Sequence, residues 1–183
     1  MPRARHCLRC GSSLVERVDA DRPRRVCPAD GCGWVFYDNP LPVVAALVEH
    51  EGAVLLTRNK GWPEGWWGLV TGFIERGETT EEAALRELKE ELGLDGEVVS
   101  MIGVYAFTER NELIVAYHVR ATGTVVVGDE LEGYKRVAPE RLRPWPMGTG
   151  HAVRAWLEAR RAAGLPTSLE GERCDGLRGR WRW

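Results

Sequence analysis

Residues 72–94 constrain this 183-residue chain more than any other segment. Thr79 or Thr80, followed closely by two glutamates, is typical of a helix N-terminus, and Gly93 is typical of a helix end. Between these signals the apolar residues recur at helical spacing. The sequence therefore predicts a helix that runs from about residue 81 to Leu92.

The predicted helix has an apolar face with an acidic edge. At about 100° per residue, three carboxylates fill the arc beside the apolar one: Glu87, Glu90 and Glu91. Like charges at this spacing destabilise a helix by roughly 0.2–0.5 kcal/mol per pair, so cations should offset them. Arg86 reaches Glu90 at i+4, which leaves Glu87 and Glu91 without a local partner. Carboxylates so placed suit Mg²⁺, which also binds substrate phosphates.

The same segment carries a family motif. It reads G-x5-E-x7-R-E-L-x-E-E-x-G-L, which resembles the Nudix box at every fixed position. The resemblance implies a Nudix hydrolase that needs Mg²⁺ or Mn²⁺ and cleaves the diphosphate bond of a nucleoside diphosphate linked to another moiety. It also implies release of a nucleoside monophosphate.

The resemblance assigns roles to individual residues of the box. It implies that Glu87, Glu90 and Glu91 are metal ligands, together with a backbone carbonyl near Thr71 or Gly72. Arg86 would orient the glutamates and Glu78 would support the loop, so the implied catalytic set is Glu87, Glu90, Glu91, Arg86 and Glu78. The general base is left open among Glu87, Glu90 and a downstream acid.

A further metal ligand is expected downstream of the box. The segment that starts at Asp129 resembles the family's E-L-x-E segment, with Glu130 as its first acid. Lys135 and Arg136 replace the aromatic residue that usually follows. Three other acids remain alternatives for this ligand: Glu109, Glu112 and Glu132.

The rest of the chain predicts strands and one more helix. Apolar and β-branched runs predict strands at residues 43–48, 53–57, 69–71, 98–107, 113–119 and 124–127. A second helix is predicted from Thr149 to the stop signal at Gly164. Strands interrupted by two helices predict an α/β (α+β) sandwich, with helices around a mixed sheet. This domain is expected to span residues 38–165, followed by a flexible tail at 166–183.

Residues 1–37 contain too few aliphatic residues for a core of their own. Four cysteines in two close pairs, Cys7, Cys10, Cys27 and Cys32, have the spacing class of a structural Zn²⁺ site. The sequence therefore predicts an N-terminal zinc ribbon. A disulfide or redox pair is the alternative, and Cys174 has no assigned role.

A zinc ribbon ahead of a Nudix box is similar to the architecture of the NADH pyrophosphatases. However, the S-Q-P-W-P-F-P-x-S signature of that subgroup is absent between Glu97 and Arg120. ADP-ribose, NADH and FAD-like substrates therefore all stay open. Trp67, Phe107 and Arg110 are candidate substrate-binding residues, and core packing is the alternative for the two aromatic side chains.

The net charge of −2 conceals basic ends, each of +3, and a middle of −8. The arginines of the first segment keep two other functions open: a nucleic-acid-binding or regulatory protein with a nucleotide-sensing Nudix domain, and an RNA nucleotide-cap hydrolase. A sensor would not need the metal glutamates, so their presence favours catalysis. The family resemblance suggests a homodimer. The longest apolar run, residues 43–48, is too short to span a membrane, and we expect a cytoplasmic protein.

Overall fold

The computed structural model describes residues 4–19 and 21–168, in two compact units that divide after Pro40. In the first unit, antiparallel strands form a sheet in the order β1-β2-β3, with bounds β1 (Val15–Asp19), β2 (Arg22–Val26) and β3 (Val35–Phe36). Among its described residues only Cys7 and Cys27 are buried. Apolar packing therefore contributes little to this unit, as its composition predicts.

The second unit, as far as residue 168, contains six strands and two helices. The strands are β4 (Leu41–His50), β5 (Ala53–Asn59), β6 (Val70–Phe73), β7 (Asp95–Phe107), β8 (Glu112–Thr122) and β9 (Leu131–Val137). The helices are α1 (Thr80–Leu92) and α2 (Gly150–Ala162). The sheet has the order β7-β8-β4-β5-β9, and β6 pairs with β4. Strands β4 and β8 run parallel, and the other pairs run antiparallel.

Strand β4 lies at the centre of the sheet of the second unit and is buried on both faces. Val44, Ala46 and Val48 pack in the cluster that includes the apolar face of α1. The alternate residues of β4 pack in the cluster that includes α2. A strand covered on both faces needs apolar residues at every position, which explains the continuous run. The predicted sandwich of helices around a mixed sheet is confirmed.

The strand predicted at residues 124–127 is wrong. These residues form no strand; instead the amide of Val126 donates to the carbonyl of Leu92 at 2.9 Å, and the amide of Gly128 donates to that of Glu91 at 2.8 Å. The last carbonyls of a helix lack partners within the helix, and this segment supplies them. The β-branched run therefore covers the end of α1.

The chain after α2 is described only to residue 168. Thr167 and Ser168 are buried, and the Ser168 hydroxyl donates to the carbonyl of Leu142. The rest of the predicted tail, with Cys174, lies outside the described residues, as does Arg3 near the N-terminus.

Candidate active site

Helix α1 is held at both ends by its own sequence. The hydroxyl oxygen of Thr79 accepts from the amide of Glu82 at 3.2 Å, and the Glu82 carboxylate accepts from the amide of Thr79 at 2.7 Å. Gly93 ends the helix with a positive φ of 68°, and its amide donates to the carbonyl of Lys89. These caps fix the start and end of the helix, and hence which residues face the sheet.

Glu91 is the most buried acid of the helix. Its side chain lies in the apolar face of α1, and the residue is 5 % exposed. Burial raises its pKa to about 8 against a hydrogen bond from the Thr71 backbone, and the charges of Glu87 and Glu130 add to the rise. Its Oε2 is buried and has no hydrogen-bond partner in the described structure. A buried carboxylate oxygen of this kind needs a cation or a proton.

Glu87 lies directly against the backbone of β6. A Cβ atom on Gly72 would come within 1.8 Å of Glu87 Oε1, so only glycine leaves room for this carboxylate. The φ of Gly72 is not positive, so space rather than backbone strain requires the glycine. Burial raises the pKa of Glu87, Arg86 lowers it, and the charges of Glu90 and Glu130 raise it further.

Arg86 joins the loop before the helix to the acidic edge. It donates to both carboxylate oxygens of Glu78, from Nε at 3.0 Å and from Nη2 at 2.8 Å. Its Nη1 donates to Glu87 at 2.8 Å and to Glu90 at 3.2 Å. The expectation that Glu87 has no local partner is thus wrong, because one guanidinium nitrogen reaches both carboxylates.

The hydrogen bonds from Arg86, and one from the amide of Glu75 at 2.7 Å, lower the pKa of Glu78 to about 2. Arg86 also donates to the carbonyl of Phe73 at 3.0 Å. Its pKa is raised, chiefly by the hydrogen bond to Glu78. Since its partners lie at the end of β6, in the loop and on the helix edge, Arg86 fixes the glutamates relative to the end of β6.

The box glutamates and the downstream acids share a pocket of about 470 Å³. Glu87, Glu90 and Glu91 line it, together with Asp129 and Glu130. Glu130 is exposed, and its charge acts on both Glu87 and Glu91. The structure therefore brings the predicted downstream acid beside the box.

The alternative acids are placed differently. Glu132 forms an ion pair with Arg58 at 2.9 Å and accepts from the amide of Gly61, and it does not line the pocket. Glu109 accepts from the Thr108 hydroxyl and also lies outside the pocket lining. Glu112 lines the pocket, although no sequence signal distinguished it from the other two.

The candidate substrate residues divide in the same way. Arg110 lines the pocket. Trp67 and Phe107 do not; both pack against the core on the α2 face, and Lys135 lies 4.6 Å from the centre of the Trp67 ring. Trp62 and the exposed ring of Phe73 supply the aromatic lining instead. The register of β6 on β4 could have indicated Phe73, since Val43 pairs with it.

The four cysteines of the first unit converge on one point. Their sulfur atoms all lie within 4.8 Å of one another, with Cys7 and Cys32 3.7 Å apart and Cys10 and Cys27 3.4 Å apart. All four are free of disulfides. Tetrahedral Zn²⁺ with bonds of about 2.3 Å to sulfur requires S–S distances of about 3.8 Å. The cluster could therefore hold a metal ion.

Glycines and a turn shape this cluster. Gly11 and Gly33, which follow the two pairs, have φ values of 77° and 63°. The wider spacing of the second pair is closed by a turn in which the amide of Cys32 donates to the carbonyl of Ala29 at 3.1 Å.

A larger cavity of about 670 Å³ lies at the other end of β4. Its half-buried acid, Glu49, is already paired with His118 at 2.8 Å and with Arg160 at 3.1 Å. Both carboxylate oxygens of Glu49 are already engaged by side chains of the protein, so this cavity lacks the free carboxylates of the first.

A family model described as the NUDIX domain matches residues 39–155. The chain belongs to the Nudix family. The resemblance of residues 72–94 to the Nudix box is thereby confirmed. The Nudix domain begins at the start of β4 and includes every acid of the pocket.

Curated relatives include proteins named as a hydrolase and as a pyrophosphatase. The NAD-capped RNA hydrolase NudC of Pseudomonas aeruginosa is 28% identical over 168 residues, which cover 89% of this chain and 60% of that protein. The ADP-ribose pyrophosphatase of Methanocaldococcus jannaschii is 42% identical over 77 residues, which cover 42% of this chain and 46% of that protein. This chain therefore spans about half to three fifths of the length of these relatives.

Solved structures show the same fold. The NUDIX hydrolase of Nitrosomonas europaea has a TM-score of 0.74 and 26% identity, and the match covers 90% of this chain and 96% of that one. The MutT NUDIX hydrolase of Burkholderia pseudomallei has a TM-score of 0.51 and 32% identity, over 66% of this chain and 97% of that one. No helix among the described residues is long and apolar enough to cross a membrane.

Nudix enzymes generally use divalent metals, and the residues of this pocket fit one. The donors are carboxylate oxygens, which hard cations such as Mg²⁺ prefer. The unpartnered Oε2 of Glu91 and the space that Gly72 leaves for Glu87 both point to a charge that the protein does not itself supply. A bound cation would satisfy that oxygen and offset the repulsion among the acids.

Proposed function

We propose that this chain is a Mg²⁺- or Mn²⁺-dependent pyrophosphohydrolase. Its substrate is a nucleoside diphosphate linked to another moiety, of the ADP-ribose, NADH or FAD type, and one product is a nucleoside monophosphate. The observation that carries the proposal is the buried, unpartnered Oε2 of Glu91 in a pocket whose other carboxylates include those of Glu87, Glu90 and Glu130. The names of the relatives support the same class of reaction.

The chain's own residues prepare the site. Glu87, Glu90, Glu91 and Glu130 would hold the cation, with a backbone carbonyl at Thr71 or Gly72. When bound, the cation neutralises the diphosphate and makes water more acidic. Arg86 is held by its hydrogen bond to Glu78 and in turn positions Glu87. These side chains therefore do not need to reorganise during the reaction.

The reaction is a displacement at phosphorus. A water oxygen bonds to one phosphorus while the bond from that phosphorus to the bridging oxygen breaks, and the leaving phosphate keeps the bridging oxygen. The water proton passes to a carboxylate. Glu90 and Glu130 line the pocket and are exposed, so either can accept this proton and release it to solvent.

A substrate panel tests the proposal. ADP-ribose, NADH, NAD⁺, FAD, diadenosine polyphosphates, nucleotide sugars and nucleoside triphosphates are each supplied with Mg²⁺ or Mn²⁺, and kcat/KM is measured. Reaction in H₂¹⁸O shows which product phosphate gains the label. Glu91→Gln should lose most of the activity. No hydrolysis of any substrate would reject the proposal and favour a nucleotide sensor.

The four cysteines would hold a structural Zn²⁺. Their sulfur distances of 3.4 and 3.7 Å support this role, and the first unit has no other buried side chains among its described residues to stabilise it. Zinc binding would then supply most of the folding free energy of this unit.

Hydrolysis of a nucleotide cap on RNA is a second candidate. It is favoured by the match to NAD-capped RNA hydrolases over most of this chain. Several ribbon arginines are already engaged, however: Arg9 donates to the carbonyl of Cys32, Arg24 to that of Tyr37 and Arg25 to that of Ala4. A comparison of kcat/KM for NAD⁺ and for NAD-capped RNA distinguishes the two candidates.

A further inference from the structure

The catalytic pocket has a second polar region, formed by Arg110 and Glu112. Arg110 lies in the turn between β7 and β8, and Glu112 is the first residue of β8. Glu112 pairs with Leu41 at the start of β4, and Val43, two residues further along β4, pairs with Phe73 of β6. The strand register therefore places Arg110 and Glu112 near the exposed Phe73 ring, and all three residues line the pocket.

Apart from the attraction between their charges, neither side chain has a polar partner in the described structure. The half-buried carboxylate of Glu112 makes no hydrogen bond or ion pair with residues 4–19 or 21–168. Within the same residues, the guanidinium of Arg110 contacts only an aromatic ring, that of Phe107, with its carbon 5.7 Å from the ring centre. Arg110 is exposed and Glu112 is half-buried, so water contacts both side chains in the free protein and a ligand in the pocket can replace that water with its own polar groups.

Glu112 is separate from the cation-binding acids. In the acidic cluster, the charges of Glu90 and Glu130 raise the pKa of Glu87, and the charges of Glu87 and Glu130 raise the pKa of Glu91. The pKa of Glu112 is raised by burial and lowered by Arg110, with no contribution from that cluster. The charge that acts on Glu112 is therefore that of Arg110.

The chemistry of the pair restricts the ligand. An ionised carboxylate only accepts hydrogen bonds, and a guanidinium only donates them. A phosphate group at neutral pH offers acceptors to Arg110 but repels Glu112. A sugar hydroxyl both donates and accepts, so two neighbouring hydroxyls match a carboxylate beside a guanidinium.

We propose that Arg110 and Glu112 form a subsite for the vicinal hydroxyls of a sugar ring in the substrate. This inference rests on the proposed function and deepens it. The preferred substrates are then diphosphates with a hydroxyl-bearing sugar at this position, and nucleoside triphosphates that would place a phosphate there are disfavoured.

Binding and hydrolysis are measured separately to test the subsite. Ligands are ADP-ribose, its two 2′-deoxy analogues (one for each ribose) and ATP. Calorimetry with Ca²⁺ in place of Mg²⁺ gives Kd, and assays with Mg²⁺ give kcat and KM. The variants are Glu112→Ala and Glu112→Gln, with Glu109→Gln as the matched control, since Glu109 lies in the same turn but outside the pocket lining. Thermal melting shows that each variant is folded.

One deoxy analogue should bind the wild-type protein about tenfold to a hundredfold more weakly than ADP-ribose, as expected for a lost hydrogen bond to a charged group. Glu112→Ala should abolish this difference, raise KM for ADP-ribose and leave kcat nearly unchanged. Glu112→Gln should give a smaller change in the same direction, and ATP binding should stay equal or tighten. Glu109→Gln should match the wild type.

The opposite results separate the two ideas. If both Glu112 variants weaken ATP and ADP-ribose equally, or if the deoxy penalty persists in Glu112→Ala, the subsite is rejected while the hydrolase stands. If the wild type shows the deoxy penalty in binding but hydrolyses nothing, the proposed function is rejected and the subsite stands. Absence of any binding rejects both.

Discussion

Arg86 donates two parallel hydrogen bonds to the Glu78 carboxylate, from Nε at 3.0 Å and from Nη2 at 2.8 Å. The remaining guanidinium nitrogen, Nη1, holds Glu87 at 2.8 Å. Paired bonds of this kind fix orientation as well as distance. The loop before α1 and the acidic edge of α1 therefore move as one piece.

Replacement of Arg86 by lysine should separate these two parts. A lysine ammonium cannot form the paired contact with Glu78 and still reach Glu87. We expect kcat/KM to fall about tenfold to a hundredfold. Part of this loss should reflect weaker Mg²⁺ binding, and that part should be restored at high Mg²⁺ concentration. The measurement is kcat/KM against Mg²⁺ concentration. Arg76→Lys is the control, since Arg76 is exposed and does not line the pocket, and equal losses in both variants would contradict this role.

Glu91 should make the stability of the protein depend on pH when Mg²⁺ is omitted. Its folded pKa of about 8 lies above the ordinary value of 4.5, so the folded state binds the proton more tightly than the unfolded state. The stabilisation is complete below about pH 4.5 and is lost as the pH rises through about 8. Thermal melts from pH 5 to 9 should show this decline in the wild type and a smaller one in Glu91→Gln. Added Mg²⁺ should reduce the decline, and identical profiles for the two proteins would contradict the assignment.

Mg²⁺ binding near pH 7 should release protons for the same reason. The cation favours the ionised form of Glu91, which is largely protonated at that pH in its absence. Calorimetric titrations in buffers of different ionisation enthalpy measure the number of protons released. Glu91→Gln should release fewer protons, and an unchanged number would exclude Glu91 as their source.

Two acids separated by one residue should differ in function. Glu130→Gln should reduce kcat or Mg²⁺ affinity by roughly ten- to a hundredfold, because Glu130 lines the pocket. Glu132→Gln should change either value by only a few fold, since Glu132 is paired with Arg58 and Gly61. Steady-state kinetics at several Mg²⁺ concentrations compare the two variants. The reverse order would make Glu132 the downstream ligand.

The cysteine cluster should bind one Zn²⁺ per chain. Elemental analysis of protein purified without chelators measures the metal, and Cys7→Ser should lower the zinc content because it removes a buried ligand. Cys174→Ser is the matched control and should retain full zinc. Absence of zinc from the wild type would instead favour a disulfide or redox role.

The sequence predicted the elements whose local signals agree with their packing. Helix α1 carries its caps at Thr79 and Gly93, and β4 carries an unbroken apolar run at residues 43–48, all of which are buried. The strand predicted at residues 124–127 is wrong because a β-branched run can also cover the end of a helix. Strand β9 was not predicted because it is an edge strand in which Glu132, Lys135 and Arg136 interrupt any apolar pattern.

The site was less predictable where it depends on contacts distant in the chain. Glu130 and Glu132 look alike in sequence, and only the position of Arg58 separates them. Trp67 and Trp62 lie in the same loop, yet one packs in the core and the other lines the pocket. The reach of Arg86 to Glu87 was missed because spacing rules for helices consider i+4 partners and not adjacent residues.

Because Glu87 lies so close to Gly72, the side chain at position 87 decides which residues position 72 can accept. A methyl group at position 72 is excluded by the Glu87 carboxylate and not by the backbone. Gly72→Ala should therefore lower the stability of the protein when Glu87 is present. Adding Glu87→Ala should remove this loss of stability without restoring catalysis. The two positions form an epistatic pair, in which glycine is required at position 72 only while glutamate occupies position 87.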